Sequence, residues 1–152
     1  NMRIDHVNPE IHTAKLFILG MNKLPNSLNK NSLRSKNIYF KGRVSRDVLK
    51  KIYLKSSAMI CLGYDETFCL NALEANACGL PVLSFGKTAL SKFITNKYNG
   101  FIVKDFKSLA VKIKTLLKFD KNNKQRILKN SFNHSKKFTI NNSLFYWLKL
   151  LK

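Results

Sequence analysis

Two carboxylates and the opening of a helix are the features best placed to do chemistry. Glu66 and Glu74 stand eight positions apart within YDETFCLNALEANACGLPVLSF, residues 64–85. Glu66 falls just after an apolar run, in the turn that opens a helix, and Glu74 lies about two turns further on. Phe68, Cys69 and Leu70 form the first turn. Their backbone N–H groups lack intrahelical acceptors, and the helix dipole is positive there. A phosphate or diphosphate is the ligand such an end favours. Glu74 is flanked by Ala72, Leu73, Ala75 and Ala77, and burying an unpaired carboxylate among such neighbours is costly. A pair of sugar hydroxyls would satisfy it. A distant Arg or Lys would do so too, and spacing alone leaves open a dipole-complementing Glu66 and an ordinary solvated Glu74.

The elements that must position these residues alternate. Ala14–Leu19, Asn37–Phe40, Ala58–Leu62, Pro81–Phe85 and Gly100–Val103 are short apolar runs that read as strands. Gly20 and Gly42 close the first two. Ser45 can cap a helix with Val48, Leu49, Ile52 and Tyr53 at helical spacing. The helix over Thr67–Cys78 is expected to turn Leu70, Leu73 and Ala77 inward and to stop at Gly79. A short helix follows at Ala89–Asn96, then three helical stretches: from Lys107 through Leu117, over Ile127–Phe132, and over Leu144–Leu151. Strands alternating with helices predict an α/β fold: a Rossmann-like parallel sheet flanked by helices, with C-terminal helices. Ligands of such sheets bind at the carboxyl ends of the strands.

The ordered series Glu66, Phe68, Leu70, Leu73, Glu74, Ala75, Ala77, Gly79, Pro81, Val82 is similar to the donor-site signature of the retaining GT-B glycosyltransferases. These are the large family that includes many sucrose, glycogen, lipopolysaccharide and capsule enzymes. The two glutamates have its E-x7-E spacing. NIYFKGRVSRDVLKKIYLKSSAMICL resembles its preceding unit, and Asn99 to Val103 its asparagine–glycine–strand element. The resemblance covers roughly residues 14–117, as a nucleotide-sugar-binding domain and the C-terminal half of a GT-B fold. It leaves 1–13 as an N-terminal extension, or the remnant of a preceding strand–helix unit. Residues 118–152 are left as helices packing on the sheet or toward an acceptor domain.

The resemblance implies roles. Glu66 would lie beside the transferred sugar as the catalytic residue. Glu74 would hold the ribose hydroxyls, and the amides of Phe68, Cys69 and Leu70 the diphosphate. Arg43 and Val44 would border the base, and the loop with Gly86, Lys87 and Thr88 would face the sugar. The implied reaction transfers a sugar from a nucleoside diphosphate to a glycan or lipid-linked acceptor with retention, with no metal or other cofactor. It belongs to cell-surface polysaccharide or lipopolysaccharide synthesis. Two departures stand out: Cys69 replaces a glycine usual in the family, and Lys92 occupies a position that is often acidic. The Arg and Lys that neutralise the diphosphate normally precede residue 14, and the acceptor domain is missing from this chain. It is therefore expected to bind nucleotide weakly and to be inactive alone.

Composition bounds the rest. The 152 residues, 45% hydrophobic, suit one globular domain. Asn1 precedes Met2, the pattern of a chain cut from a longer one or carrying a leftover residue. The net charge of +20 points toward polyanions. The plainer reading is a Lys- and Asn-rich surface, because only Arg3, Arg34, Arg43, Arg46 and Arg126 offer the planar fork used in base readout. Nucleic acid is therefore disfavoured as a partner. An anionic membrane surface is the next reading, with the lysines of Lys107–Lys137 as its candidate face. Phe145, Tyr146 and Trp147 read first as packing and second as an interdomain or membrane patch. Cys61, Cys69 and Cys78 fit no zinc spacing and read as buried free thiols. His6, His12 and His134 are scattered. No apolar stretch nears the roughly 20 residues of a membrane span. The expected location is cytoplasmic, peripheral on the inner face of the membrane.

The alternative function is a basic polyanion- or membrane-surface-binding module without catalysis. It requires the lysines to cluster on one face, and its affinity would fall steeply with salt. A sugar-nucleotide epimerase shares the architecture but needs a catalytic His, and none lies near the glutamates in sequence.

Overall fold

The computed structural model describes residues 14–20, 37–63, 69–86 and 89–150, without the side chains of residues 145–148 and 150. Contacts divide the chain into two compact units, one ending at Leu49 and the other starting at Lys50.

In the first unit, β1 (Leu16–Leu19) and β2 (Ile38–Gly42) pair in parallel, with Leu16 opposite Ile38 and Phe17 opposite Tyr39. The Phe17 and Tyr39 rings stack at 5.4 Å. The register slips after Ile18, so that Leu19 faces Gly42. Gly20 and Gly42 carry φ of +81° and +60°, and the Gly20 N–H donates to the Gly42 carbonyl at 2.8 Å. Glycine adopts this left-handed backbone without the steric penalty other residues meet. The helix α1 (Arg46–Lys55) follows. Ser45 Oγ accepts a long hydrogen bond from the Val48 N–H at 3.4 Å, the cap its position predicts. Val48 itself is exposed, and the buried residue of the stripe is Tyr53.

The second unit holds a parallel sheet in the order β3 (Met59–Ile60), β4 (Val82–Ser84), β5 (Gly100–Ile102). Among the described residues the strands thus pair as two and three. All of β4 is buried, which is why PVLSF reads as a continuous apolar run and does not alternate. The helices of this unit are α2 (Leu70–Ala77), α3 (Leu90–Phe93), α4 (Phe106–Leu117), α5 (Lys121–Ser135) and α6 (Ile140–Leu150), with a 3-10 turn at Lys136–Phe138 that α6 contacts. Leu83, Phe85, Phe101, Val103, Leu109, Leu116 and Ile127 form the core. No described helix is long and apolar enough to cross a membrane.

Three expectations need correction. Leu70 is 64% exposed, Ala77 is exposed and Leu73 is half-buried, so they do not form the inner face of α2. That face is Ala72, Ala75 and Asn76, continued by buried Gly79, and α5 packs along it. Small side chains win because the helices are close: a Cβ on Gly79 would lie 3.2 Å from the Leu128 carbonyl oxygen. Cys78 is half-buried, although Cys61 and Cys69 are buried as expected. The last two helices extend further toward the N-terminus than their apolar stretches suggest. Asp120 Oδ1 accepts the Asn123 N–H at 2.7 Å and starts α5 six residues before Ile127. The α6 helix begins at Ile140.

His134 gives the fold a pH dependence. It is buried on α5 among Phe93, Tyr98 and Phe138, with ring centroids 5.2, 6.4 and 5.5 Å away. Neither ring nitrogen makes a hydrogen bond of good geometry among the described residues, although the Phe93 backbone lies close enough to favour the protonated ring. Burial, helped by the Lys137 charge and opposed by the Phe93 backbone, holds the imidazole below its ordinary pKa. The fold therefore prefers neutral His134, and the unfolded chain takes up the proton more readily. The resulting stability is complete above the unfolded pKa of about 6.5 and is lost as pH falls from there through the folded value. The thermal midpoint should fall between pH 7 and pH 5. His134→Phe should flatten that slope, and an unchanged slope in the variant would assign it to the carboxylates.

Candidate functional site

The site is built at the carboxyl edge of the three-stranded sheet. The Cys61 N–H donates to the Leu83 carbonyl at 2.9 Å, which places Cys61 just past the end of β3 and beside β4. Cys69 meets it there: the two Sγ atoms are 3.4 Å apart. Cys69 is the N-cap of α2, with φ −78° and ψ 91°, and its own side chain makes no cap hydrogen bond. The contrast with α4 is chemical. There Asp105 and Ser108 form a reciprocal capping box, Asp105 Oδ1 accepting the Ser108 N–H at 2.7 Å. These bonds hold the Asp105 carboxyl below its usual range. At α2 the positive helix end has no carboxylate among the described residues to complement it.

Glu74 lies one turn beyond Leu70 on α2, exposed and without an ion-pair partner among the described residues. The alternatives left by spacing thus narrow: Glu74 is exposed to solvent. Its charge still reaches Tyr53 and Cys78. Burial, and then the nearby Glu74 charge, push the Tyr53 phenol up to about 12, so Tyr53 stays protonated. Its hydroxyl donates a long bond to the Asn71 carbonyl at 3.5 Å. Tyr53 is the residue that sequence reasoning placed only on a helical stripe. Its signal was that stripe's one hydroxyl-bearing ring.

Gly86 ends β4 at the same edge. Its φ is +66°, its N–H donates to Ser84 Oγ at 3.3 Å, and a Cβ there would fall 2.6 Å from Ile102 Cγ2. The left-handed φ favours glycine, and any Cβ would also force the Ile102 side chain to shift. The structure thus brings Cys69, Leu70, Glu74 and Gly86 into one unit, on α2 and at the strand ends. Arg43, exposed, and Val44, half-buried, follow Gly42 at the carboxyl end of β2 in the other unit. Glu66, Phe68, Lys87 and Thr88 lie outside the described residues, as do residues 1–13. Lys92 is exposed in the last turn of α3.

A parallel α/β sheet with a helix N-terminus at its carboxyl edge, and an exposed carboxylate one turn along that helix, is an arrangement that suits an anionic ligand at the strand ends. The family described as glycosyl transferases group 1 matches residues 4–134, and the chain belongs to it. An uncharacterized glycosyltransferase of Methanocaldococcus jannaschii is 34% identical over 98 residues, which are 62% of this chain and 25% of the relative. The chain therefore spans about a quarter of that protein's length. Among solved structures, the GtfA/B complex aligns with a TM-score of 0.72 at 21% identity, over 93% of this chain and 30% of that one. A sucrose-phosphate synthase from Thermosynechococcus elongatus gives 0.65 at 25%, over 80% and 31%. The C-terminal domain of a group 1 glycosyl transferase, LpcC, from Francisella tularensis gives 0.61 at 25%, over 73% and 58%. The fold is the parallel α/β fold of the GT-B glycosyltransferases.

Proposed function

We propose that the chain is the donor-binding part of a retaining glycosyltransferase. Residues 14–117 would hold a nucleoside-diphosphate sugar, and 118–152 would pack on the sheet or toward an acceptor domain on the rest of a longer protein. The observation that carries the reading is exposed Glu74 one turn beyond the start of α2 at Cys69. Ribose hydroxyls can donate to that carboxylate while the amides of Cys69 and Leu70 face the diphosphate. Arg43 and Val44 would border the base, Gly86, Lys87 and Thr88 the sugar, and Glu66 would assist at the anomeric carbon beside Phe68. Stabilising the leaving diphosphate is then the main catalytic contribution, and it is proposed to need no metal or cofactor. The acceptor would be a glycan or lipid in cell-surface polysaccharide or lipopolysaccharide synthesis, reached from the cytoplasmic face of the membrane. Assayed by themselves, residues 1–152 should bind nucleotide weakly and transfer no sugar.

Calorimetric titration with UDP, GDP and ADP tests the reading. One nucleotide should bind in preference to the others and survive raised salt. Glu74→Ala should weaken it about tenfold or more, the worth of hydrogen bonds to a charged group. Equal and salt-sensitive binding of all three, unchanged by Glu74→Ala, would assign it to the net charge of +20. The alternative of a basic surface-binding module would then stand.

A further inference from the structure

The Cys61–Cys69 contact places two thiols where a covalent bond needs little motion. Their sulfurs are 3.4 Å apart, one at the end of β3 and the other at the N-cap of α2. A disulfide has an S–S bond of about 2.0 Å, so the sulfurs must approach by roughly a further 1.4 Å. Both cysteines are buried, but each is followed by an exposed residue, Gly63 two positions after Cys61 and Leu70 directly after Cys69. Cys61 and Cys69 themselves keep 9% and 7% of their surface exposed. The third cysteine is set apart. Cys78 lies past the far end of α2, and burial pushes its thiol up, against the opposing pull of Lys50.

We propose that Cys61 and Cys69 form a dithiol modification site that takes a small disulfide oxidant of the glutathione-disulfide class and becomes an intramolecular disulfide. The thiolate of one cysteine attacks an oxidant sulfur, forming a mixed disulfide and releasing one glutathione thiolate. The second cysteine, already in contact, attacks the protein sulfur of that mixed disulfide and expels the other glutathione. Two protein thiols are oxidised, one glutathione disulfide is reduced to two thiols, and the two thiol protons pass to the leaving thiolates. The product closes residues 61–69 into a ring and pins the N-cap of α2 to the end of β3. Proximity decides the outcome: the second thiol is held beside the first and outcompetes a second molecule from solution.

The test exposes the folded chain to oxidised glutathione, blocks remaining thiols with an alkylating agent and measures intact mass. The expected product has lost two hydrogens, carries no glutathione and retains one alkylatable thiol. Glutamate-specific digestion under denaturing conditions cuts at Glu66 and Glu74 and so separates the three cysteines. The fragments of Cys61 and Cys69 should be joined and Cys78 alkylated, and a dithiol reductant should reverse the change. Cys69→Ser should trap one glutathione on Cys61, and Cys78→Ser should oxidise like the parent. One phenylarsine oxide per chain should bind the parent and the Cys78→Ser variant, and none should bind Cys61→Ser, which reads the pairing without oxidation. The proposal is overturned by glutathione retained on the parent chain or by pairing through Cys78 or between chains. No reaction under conditions that oxidise the urea-unfolded chain would also overturn it.

Discussion

Gly100→Ala should destabilise the chain by about 3 kcal/mol or more, and a melt followed by circular dichroism should lose roughly 10 °C. The cause is space and not backbone angle, since Gly100 is not among the residues with positive φ. Gly100 is paired with Val82 in the parallel ladder of β4 and β5. A Cβ there would fall on the Val82 carbonyl oxygen, far inside contact distance, with the Val82 N and C atoms 3.1 Å away. Those are backbone atoms of a fully buried strand, so nothing can rotate aside. Two other glycines calibrate the claim. Gly20 has φ +81° and no described residue near its Cβ position, so Gly20→Ala should cost the left-handed penalty of about 1 kcal/mol. Gly86 combines φ +66° with a clash against the Ile102 side chain, which can yield, and should fall between. If Gly100→Ala melted no lower than Gly20→Ala, the close approach of β4 and β5 would be wrong.

The same contrast explains what could be read from the chain. The alternation of strands and helices was legible, because each buried strand is a short apolar run bounded by glycine or a cap. Gly79 was read as the stop of α2, and it takes φ +79° there. The inner face of α2 was not legible. Large Leu70 and Leu73 outrank Ala72, Ala75 and Asn76 on hydrophobicity, but the decisive quantity is the distance to α5, which no local pattern encodes. The extents of α5 and α6 were missed because capping by Asp120 and Thr139 sets them, ahead of any apolar periodicity: the Asn142 N–H donates to Thr139 Oγ1 at 3.3 Å. Within the candidate site, spacing placed Glu74 on α2, but Cys69, expected in the helix's first turn, is its N-cap, and Leu70 is the first helical residue. The Cys61–Cys69 contact was not visible, since it depends on α2 returning its first turn to the end of β3.

Asn99→Leu should be as damaging as the glycine change. Asn99 is fully buried, and its side chain makes three hydrogen bonds. Nδ2 donates to Asn76 Oδ1 at 2.7 Å and to the Phe93 carbonyl at 3.2 Å, and Oδ1 accepts the Thr95 N–H at 2.7 Å. Asn76 answers by donating to the carbonyls of Leu80 at 2.8 Å and Asn99 at 3.2 Å, and Ser131 Oγ on α5 adds a long bond to the same Asn99 carbonyl at 3.4 Å. A satisfied network in a low-dielectric interior is stabilising, but a half-broken one leaves buried groups unpaired, at about 1–3 kcal/mol for each. Leucine removes three bonds and leaves Asn76 Oδ1 without this donor, so a loss of about 3 kcal/mol or more is expected. Asn76→Leu alone should cost about as much, and the double variant should cost less than the sum, because each change already breaks the shared bond. The consequence reaches the site. Asn76 is two residues from Glu74 on the same helix, and the network ties that helix to the segment before β5 and to α5. Nucleotide affinity measured below the melting temperature should therefore fall in Asn99→Leu although Asn99 is fully buried. Unchanged affinity with lowered stability would show that Glu74 is positioned by the packing of α2 on α5 without the carboxamide pair.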